Sequence, residues 1–339
     1  MGSIVAAAPS GRAVAPGGET FRMRSEAEMG TGARTAGHTN AAKIPCVMID
    51  EHRDAYCCWT YFVNEGFIGE SGNYLLHVGH HDDYEIGLYE RDLTRMPRTF
   101  DEALDFTDKE LGIADFIVPA LWQGMFGTFH NLKTVLPASF KDRTHVLLLK
   151  DGNFLERRRA ITPLLEERIK TDPESCRIYA YREGGLHHAD RIDAASIVLD
   201  VDLDYFCWDD SLLSVPEKRV EITKEAYGDY LADRNHPLRL LPARTVKPRV
   251  VGGRYYLAFL EGAPRDPLPS ERLILRRIDR LISYLGDQDV LPKAIDVCRS
   301  SISGYLPAEK AAFVEENFMK RLGELYPLQM VELPGISAC

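Results

Sequence analysis

Residues 73–85, from Asn73 to Glu85, read NYLLHVGHHDDYE. Tyr74, Leu75, Leu76 and Val78 make a short apolar run of the kind that forms a buried strand, and the run gives way to His77, His80, His81, Asp82 and Asp83. A dry strand ending in imidazoles and carboxylates is a candidate metal site, because such nitrogen and oxygen donors suit manganese, iron or zinc. The carboxyl-terminal edge of a parallel sheet is where an open α/β fold presents its ligands. The plain alternative is a solvated loop after a strand, since His and Asp are ordinary loop residues.

Upstream, IPCVMI (Ile44–Ile49) predicts a strand that leads into Asp50, Glu51 and His52. From Ala55 to Glu65 the apolar residues fall at helical spacing, with Gly66 as the stop, so His52 sits where a strand hands over to a helix. The order β-α-β predicts a parallel pair. Downstream, Thr99 to Leu111 predicts a helix, and Ile113 to Phe129 a buried helical segment interrupted by Pro119. His145–Leu149 and Arg177–Tyr181 read as strands around a helix-compatible segment, Asn153–Thr171. Ala195–Phe206, ASIVLDVDLDYF, is another apolar strand that carries Asp200, Asp202 and Asp204 at every second position, which points them to one side. A helix is expected between about Pro216 and Leu231. A strand over Tyr255–Leu260 ending in Glu261, a helix over Arg272–Leu285, a strand over Ala294–Cys298 and a closing helix over Pro307–Tyr326 complete the pattern. Strands alternating with helices predict one α/β domain, three-layer α/β/α with a mostly parallel sheet, over residues 44–339.

The chain has 339 residues, 45% hydrophobic and 27% charged, enough to bury a sizeable core. A net charge of -10 argues against a nucleic-acid surface, and no stretch approaches the ~20 apolar residues of a membrane span. Seven cysteines, an odd number at no metal-finger spacing, read as reduced thiols of a cytoplasmic protein. Residues 1–43, rich in Gly, Ala, Ser and Thr, lack the apolar core of a secretory signal and read as a disordered tail, with a transit peptide as the alternative.

Three predicted strand ends bear clusters: His52; His77, His80, His81 and Asp83; and Asp200, Asp202 and Asp204. Carboxylates stacked on one face repel one another unless a cation neutralises them, so a divalent metal is the natural occupant. The order of these clusters resembles the ureohydrolase superfamily of arginases and agmatinases, whose α/β/α fold the histone deacetylases share. Within it the chain is similar to the peptide arginases, which turn arginine side chains of a peptide into ornithine. The resemblance rests on DEHRDAYCCW (50–59), LLHVGHHDD (75–83), IADFIVPALWQGMF (113–126), LDVDLDYF (199–206), LEGAP (260–264) and RSSISGYLP (299–307).

That resemblance implies an arginase-like fold and a hydrolase using one or two Mn2+ ions, with Zn2+ or Fe2+ as alternatives. It implies His52, His81 and Asp83 as ligands, together with Asp202 and either Asp200 or Asp204. It implies an arginine-containing peptide or a small guanidino compound as substrate. Position 79, where the family carries the aspartate that bridges its two ions, is Gly79, so a single ion is a real alternative, with His77 or His80 as replacement. Asp83 is the expected proton acceptor, Glu261 the acid that holds the guanidinium, and His80 or His130 the proton donor to the departing amine. A mononuclear amidase or deacetylase on the same scaffold, and an inactive binding protein, are the competing readings.

Overall fold

The structure, a computed structural model, describes residues 43–134, 140–187, 192, 194–208, 218–233, 236, 238, 245–260 and 268–336. The expected amino-terminal tail lies outside them. Along the chain come β1 (Ile44–Ile49), α1 (Ala55–Asn64), β2 (Asn73–Gly79), α2 (Phe100–Glu110), α3 (Ile117–Gln123), β3 (Phe126–Lys133), β4 (Lys141–Lys150), β5 (Phe154–Arg158), α4 (Pro163–Thr171) and β6 (Cys176–Gly184). There follow β7 (Ile197–Asp202), β8 (Lys218–Ile222), α5 (Lys224–Ala232), β9 (Thr245–Val251), β10 (Arg254–Leu260), α6 (Glu271–Asp287), β11 (Pro292–Cys298), α7 (Ala308–Leu325) and β12 (Leu328–Val331).

The main sheet runs β12-β1-β11-β7-β2-β3-β6-β4-β5. It is parallel from β12 to β6, and β4 and β5 turn antiparallel at one end. Helices cover both faces. Tyr56, Trp59 and Phe62 of α1, Phe106 of α2 and Ile117 and Leu121 of α3 pack with Val47, Ile49 and Leu75 on one side. Ile274, Ile278 and Leu281 of α6 and Val314, Phe318 and Leu322 of α7 pack with Leu76, Val78 and Leu199 on the other. Each such side chain, taken fully out of water, contributes about 1.5–3 kcal/mol, and the spacing of four and three along α6 is what aims its residues at one stripe. This is the three-layer α/β/α, arginase-like arrangement.

Several local expectations need correction. β1 and β2 share a sheet and a direction but are not neighbours, since β11 and β7 lie between them. The helix expected over 113–129 is only Ile117–Gln123, because Gly124 takes a left-handed φ of 84° and releases the chain into β3. The helix-compatible stretch 153–171 opens with the β-hairpin partner β5 before α4 begins. The helix expected from about 216 starts only at Lys224, with Thr223 as its cap, and the residues before it form β8. That strand and β9 flank β10 in a separate antiparallel sheet, so β10 does not extend the parallel one. Among the described residues, no helix is long and apolar enough to cross a membrane.

His130, expected on a helix, lies buried on β3, where its Nδ1 and the Tyr74 hydroxyl share a 2.6 Å hydrogen bond. Burial, with the Arg182 charge second, pushes its pKa down to about 3. The unfolded chain therefore binds a proton at this site between pH 6.5 and about 3 that the folded chain refuses, and stability falls as pH falls through that window. His130→Gln removes this term. In urea unfolding, the advantage of wild type over the variant should shrink by about 1.4 kcal/mol per pH unit below 6.5. An advantage independent of pH between 7 and 4 would show that His130 is not held neutral.

Candidate metal centre

All the parallel strands end at one edge, and the register decides which side chains meet there. Along β7, Asp200 is paired with His77 of β2 on one side and Asp296 of β11 on the other, and Asp202 with Cys298. Alternation puts Asp200 and Asp202 on the face that carries Val198, the face covered by α1. Above them, the chain leaving β1 makes a single 3-10 turn that sets the His52 ring over the carboxylates. Asp204 no longer belongs to the strand. A second 3-10 turn, Leu203–Tyr205, with the Asp202 carboxylate accepting from the Asp204 amide at 2.9 Å, swings it toward the β2 loop.

His52 is the centre of the cluster. Its Nε2 lies 2.7 Å from Asp200 Oδ1, and its Nδ1 lies 2.8 Å from Asp83 Oδ2 and 3.1 Å from Asp202 Oδ2. The second oxygen of Asp200 is 2.7 Å from His77 Nδ1. A second pair sits beside it: His81 Nδ1 is 2.6 Å from Asp204 Oδ2, and the other Asp204 oxygen accepts from the His80 amide at 2.9 Å. The remaining Asp202 contact is the Ser300 hydroxyl, which donates at 2.7 Å. Asp83 and Ser300 both adopt positive φ, 45° and 49°, although neither is glycine. Such a backbone costs roughly 1–3 kcal/mol per residue and persists only where the surroundings enforce it.

The electrostatics follow from burial opposed by close partners. Burial alone would push the Asp200 carboxyl up, but the His52 and His77 imidazoles outweigh it and hold it well below the usual carboxylate range. Asp202 is held low by His52 against the same burial cost. Burial and the neighbouring Asp202 charge raise Asp204 to about 6. Asp296 is pushed far up by burial and then by Asp200, and its Oδ1 accepts from the Trp59 indole at 2.9 Å. For His52, burial favours the neutral ring, yet the carboxylates around it drive the pKa up.

The test of whether this set suits a metal is the Nδ1 atom of His52. It is buried and makes no hydrogen bond, although two carboxylate oxygens stand within about 3 Å of it. Asp200 holds the opposite nitrogen and so fixes the tautomer, which is how metal-binding histidines are usually oriented. One imidazole lone pair facing two carboxylates, with a His–Asp pair alongside, is a donor set for a divalent cation. His52 with Asp202 and Cys298, and His52 with His77 and Asp200, are the two tight groups of possible ligand atoms among the described residues. The second is already saturated, since both Asp200 oxygens are engaged by imidazole nitrogens. In the first, the Cys298 thiol is kept protonated by burial and the Asp202 charge.

All six metal-ligand residues named from sequence, His52, His81, Asp83, Asp200, Asp202 and Asp204, are brought together, with Asp200 beneath the others. His80 lines the adjoining cleft, its ring stacked 4.0 Å from Trp208. Glu261 lies outside the described residues. Sequence alone places Ser300 at a strand end without a role at the centre and passes over Cys298 and Asp296, whose one signal is their place at the end of an apolar strand. Arg299, just after β11, is held by acids: Glu315 takes its Nε and Nη2 at 2.8 and 3.1 Å and Asp50 its Nη1 at 3.3 Å, which anchors the edge. Gly79 is explained by His77. A Cβ at position 79 would stand 2.8 Å from His77 Nε2 and 3.2 Å from the His81 carbonyl, so the imidazole fills the space of any side chain there.

Fold and site together describe an α/β/α protein with a buried His–Asp centre at the carboxyl edge of its parallel strands. Residues 217–259 match the family described as peptide arginase FlmR/OhkR-like domain, and this partial match supports a peptide arginase-like family for the chain. No curated protein matches it. The matched segment spans the small antiparallel sheet and contains none of the clustered side chains.

Placing a carboxylate at position 79 should therefore harm the protein. His77 is fully buried and tied to Asp200, so Gly79→Asp should lower stability by about 1–3 kcal/mol in chemical denaturation. The double change His77→Ala with Gly79→Asp should relieve the clash yet remain destabilised, because Asp200 loses the imidazole on its second oxygen. A stable single variant would mean that the ring moves aside.

Proposed function

We propose that the protein is a metal-dependent hydrolase of a guanidino C–N bond, converting a peptidyl arginine to ornithine and urea. The observation that carries this reading is the orphaned His52 Nδ1 between Asp83 and Asp202. The partial family match supports arginine as the side chain acted on. In this reading His52, Asp83 and Asp202 would hold one cation, and His81, Asp204 and Asp202 would hold a second, while Asp200 stays beneath as the partner of His52 and His77. Mn2+ is the proposed ion, and Zn2+ and Fe2+ suit the same donors. A bound divalent ion supplies Lewis acidity and makes water a nucleophile near neutral pH.

The chain's own residues do the rest. Asp200 and His77 keep the His52 ring from turning. Asp83 accepts a proton as water adds to the guanidinium carbon, Glu261 holds the guanidinium nitrogens, and His80 gives a proton to the ornithine amine as its C–N bond breaks. A cleft of about 680 Å3, which His80, His81, Asp83 and Tyr305 line, has the size of a ligand pocket and opens directly onto the cluster. We place the protein in the cytoplasm, where the buried, unbridged Cys46, Cys57, Cys58, Cys176, Cys207 and Cys298 would remain thiols.

A second reading, a mononuclear amidase, is favoured by Gly79, which stands where the resembled family carries its bridging aspartate. Metal content by mass spectrometry on manganese-grown protein separates the two. We expect about two equivalents per chain, with metal and urea release from arginine-containing peptides both lost in Asp202→Ala. Asp200→Asn should instead keep the stoichiometry and weaken affinity by about 10–100-fold, as loss of a ligand-orienting partner does. One equivalent and no urea would favour the amidase, and no metal in the wild type would remove both.

A further inference from the structure

The cleft is electrically lopsided. At its inner end stand Asp83 and the His81–Asp204 pair; its far wall is the antiparallel end of the sheet, where β4 and β5 turn back beside β6. Because β4 runs against β6, its first residues arrive at the same edge as the strand ends that carry the metal-type ligands. The register sets Lys141 beside Glu183, Arg143 beside Tyr181 and His145 beside Tyr179, while Arg157 of β5 pairs with Leu147. Arg143, Arg157 and Arg159 thus meet on one wall of the cleft.

The cations on that wall are not equally engaged. Lys141 is paired with Glu183, and Lys133, nearer the cluster, with Asp82. Arg157 lies over the Tyr84 ring at 4.0 Å and donates to the Tyr84 carbonyl at 2.7 Å, so it is fixed in place without an acid. Arg143 and Arg159 are exposed, and among the described residues no carboxylate pairs with either. Beneath them His145 is buried, and its Nε2 makes no hydrogen bond. Burial first, and then the three guanidiniums, hold its pKa down to about 4, so the ring adds no charge of its own but keeps a nitrogen available. Glu85 also lines the cleft, and it makes no ion pair with these arginines. A guanidinium-bearing substrate gains nothing from such a wall unless it carries a negative group of its own.

We propose that Arg143, Arg157 and Arg159 form a carboxylate subsite, which selects substrates bearing an acid near the arginine whose guanidinium lies at the His52 cluster. The subsite rests on the peptidyl-arginine reading for the other end of the ligand. A carboxylate is the group that suits it, since arginine forks bind carboxylates in two parallel hydrogen bonds and exposed cations gain by being paired in a recess. The acid can be a glutamate or aspartate side chain or a peptide's terminal carboxylate.

Fluorescence anisotropy with short labelled peptides tests this on the full chain. One set carries arginine next to Glu or Gln, a second ends in a free acid or an amide, and a third repeats both with norleucine in place of arginine. We expect the acidic member of at least one pair to bind about tenfold tighter at low salt, and added salt to narrow the gap. In Arg143→Gln with Arg159→Gln, both surface positions whose loss should not disturb folding, the preference should fall below about twofold. The Glu and terminal-acid arms tell the two sources apart. Equal binding within every pair, no binding of the acidic peptides, or a preference that survives the double variant overturns the subsite. Urea release is read separately: if no peptide yields urea while the norleucine peptides still show the acid preference, the arginase reading fails and the subsite stands.

Discussion

The Asp200 carboxylate, buried completely and gripped by His52 on one oxygen and His77 on the other, is the constraint on which the centre depends. A bare carboxylate in that position would be severely penalised by desolvation, so the two imidazoles are a condition of the fold as well as of the chemistry. The grip works in both directions. It keeps Asp200 ionised, and it also fixes which nitrogen of His52 is left facing Asp83 and Asp202. The His77 ring pinned in this way occupies the volume that a side chain at position 79 would need. Gly79 and His77 are therefore one feature seen from two positions.

The same logic explains where strain is kept. Asp83 and Ser300 hold left-handed backbone at the ends of two loops that leave the sheet edge. Ser300 delivers its hydroxyl to Asp202, and Asp83 delivers an oxygen to His52, from directions that an extended continuation of either strand would not reach. Such conformations survive because the flanking contacts are stiff: Leu306 donates its amide to the Ser300 carbonyl at 3.2 Å, and the Arg299 amide donates to Ile49 at 2.8 Å. Local cost at these two residues is offset by the rigidity of the parallel strands beneath them.

Much of this was legible in the sequence because two periodicities carry it. Alternation along Ala195–Phe206 put Asp200 and Asp202 on one face, and the apolar run before His81 and Asp83 marked a buried strand end. What alternation could not do was aim Asp204, which leaves the strand and is turned by a 3-10 step, or choose between the two registers of the aspartate pair. Nor could it place Ser300, Cys298 and Asp296, because strand adjacency in a parallel sheet depends on the order β11-β7-β2, set by packing across hundreds of residues rather than by local pattern. The boundary errors have two causes. Gly124 ends α3 early, and short β-rich pieces such as β5 and β8 sit inside polar stretches whose composition suits a helix equally well.

Had β4 run parallel, Lys141 and Arg143 would lie at the opposite edge, and the cleft beside His81 and Asp83 would be walled by the strand's other end. Reversing one strand exchanges Leu149 and Lys150 for Lys141 and Arg143 at the functional edge. The reversal also brings β5 back with Arg157 at its carboxyl end. A cluster rich in carboxylates thereby faces a wall rich in guanidiniums across one cleft. Opposite potentials at the two ends of a cleft orient a dipolar ligand before contact and penalise the reversed pose. The charge asymmetry of the cleft is thus set by topology, through the antiparallel pairing of β4 with β6.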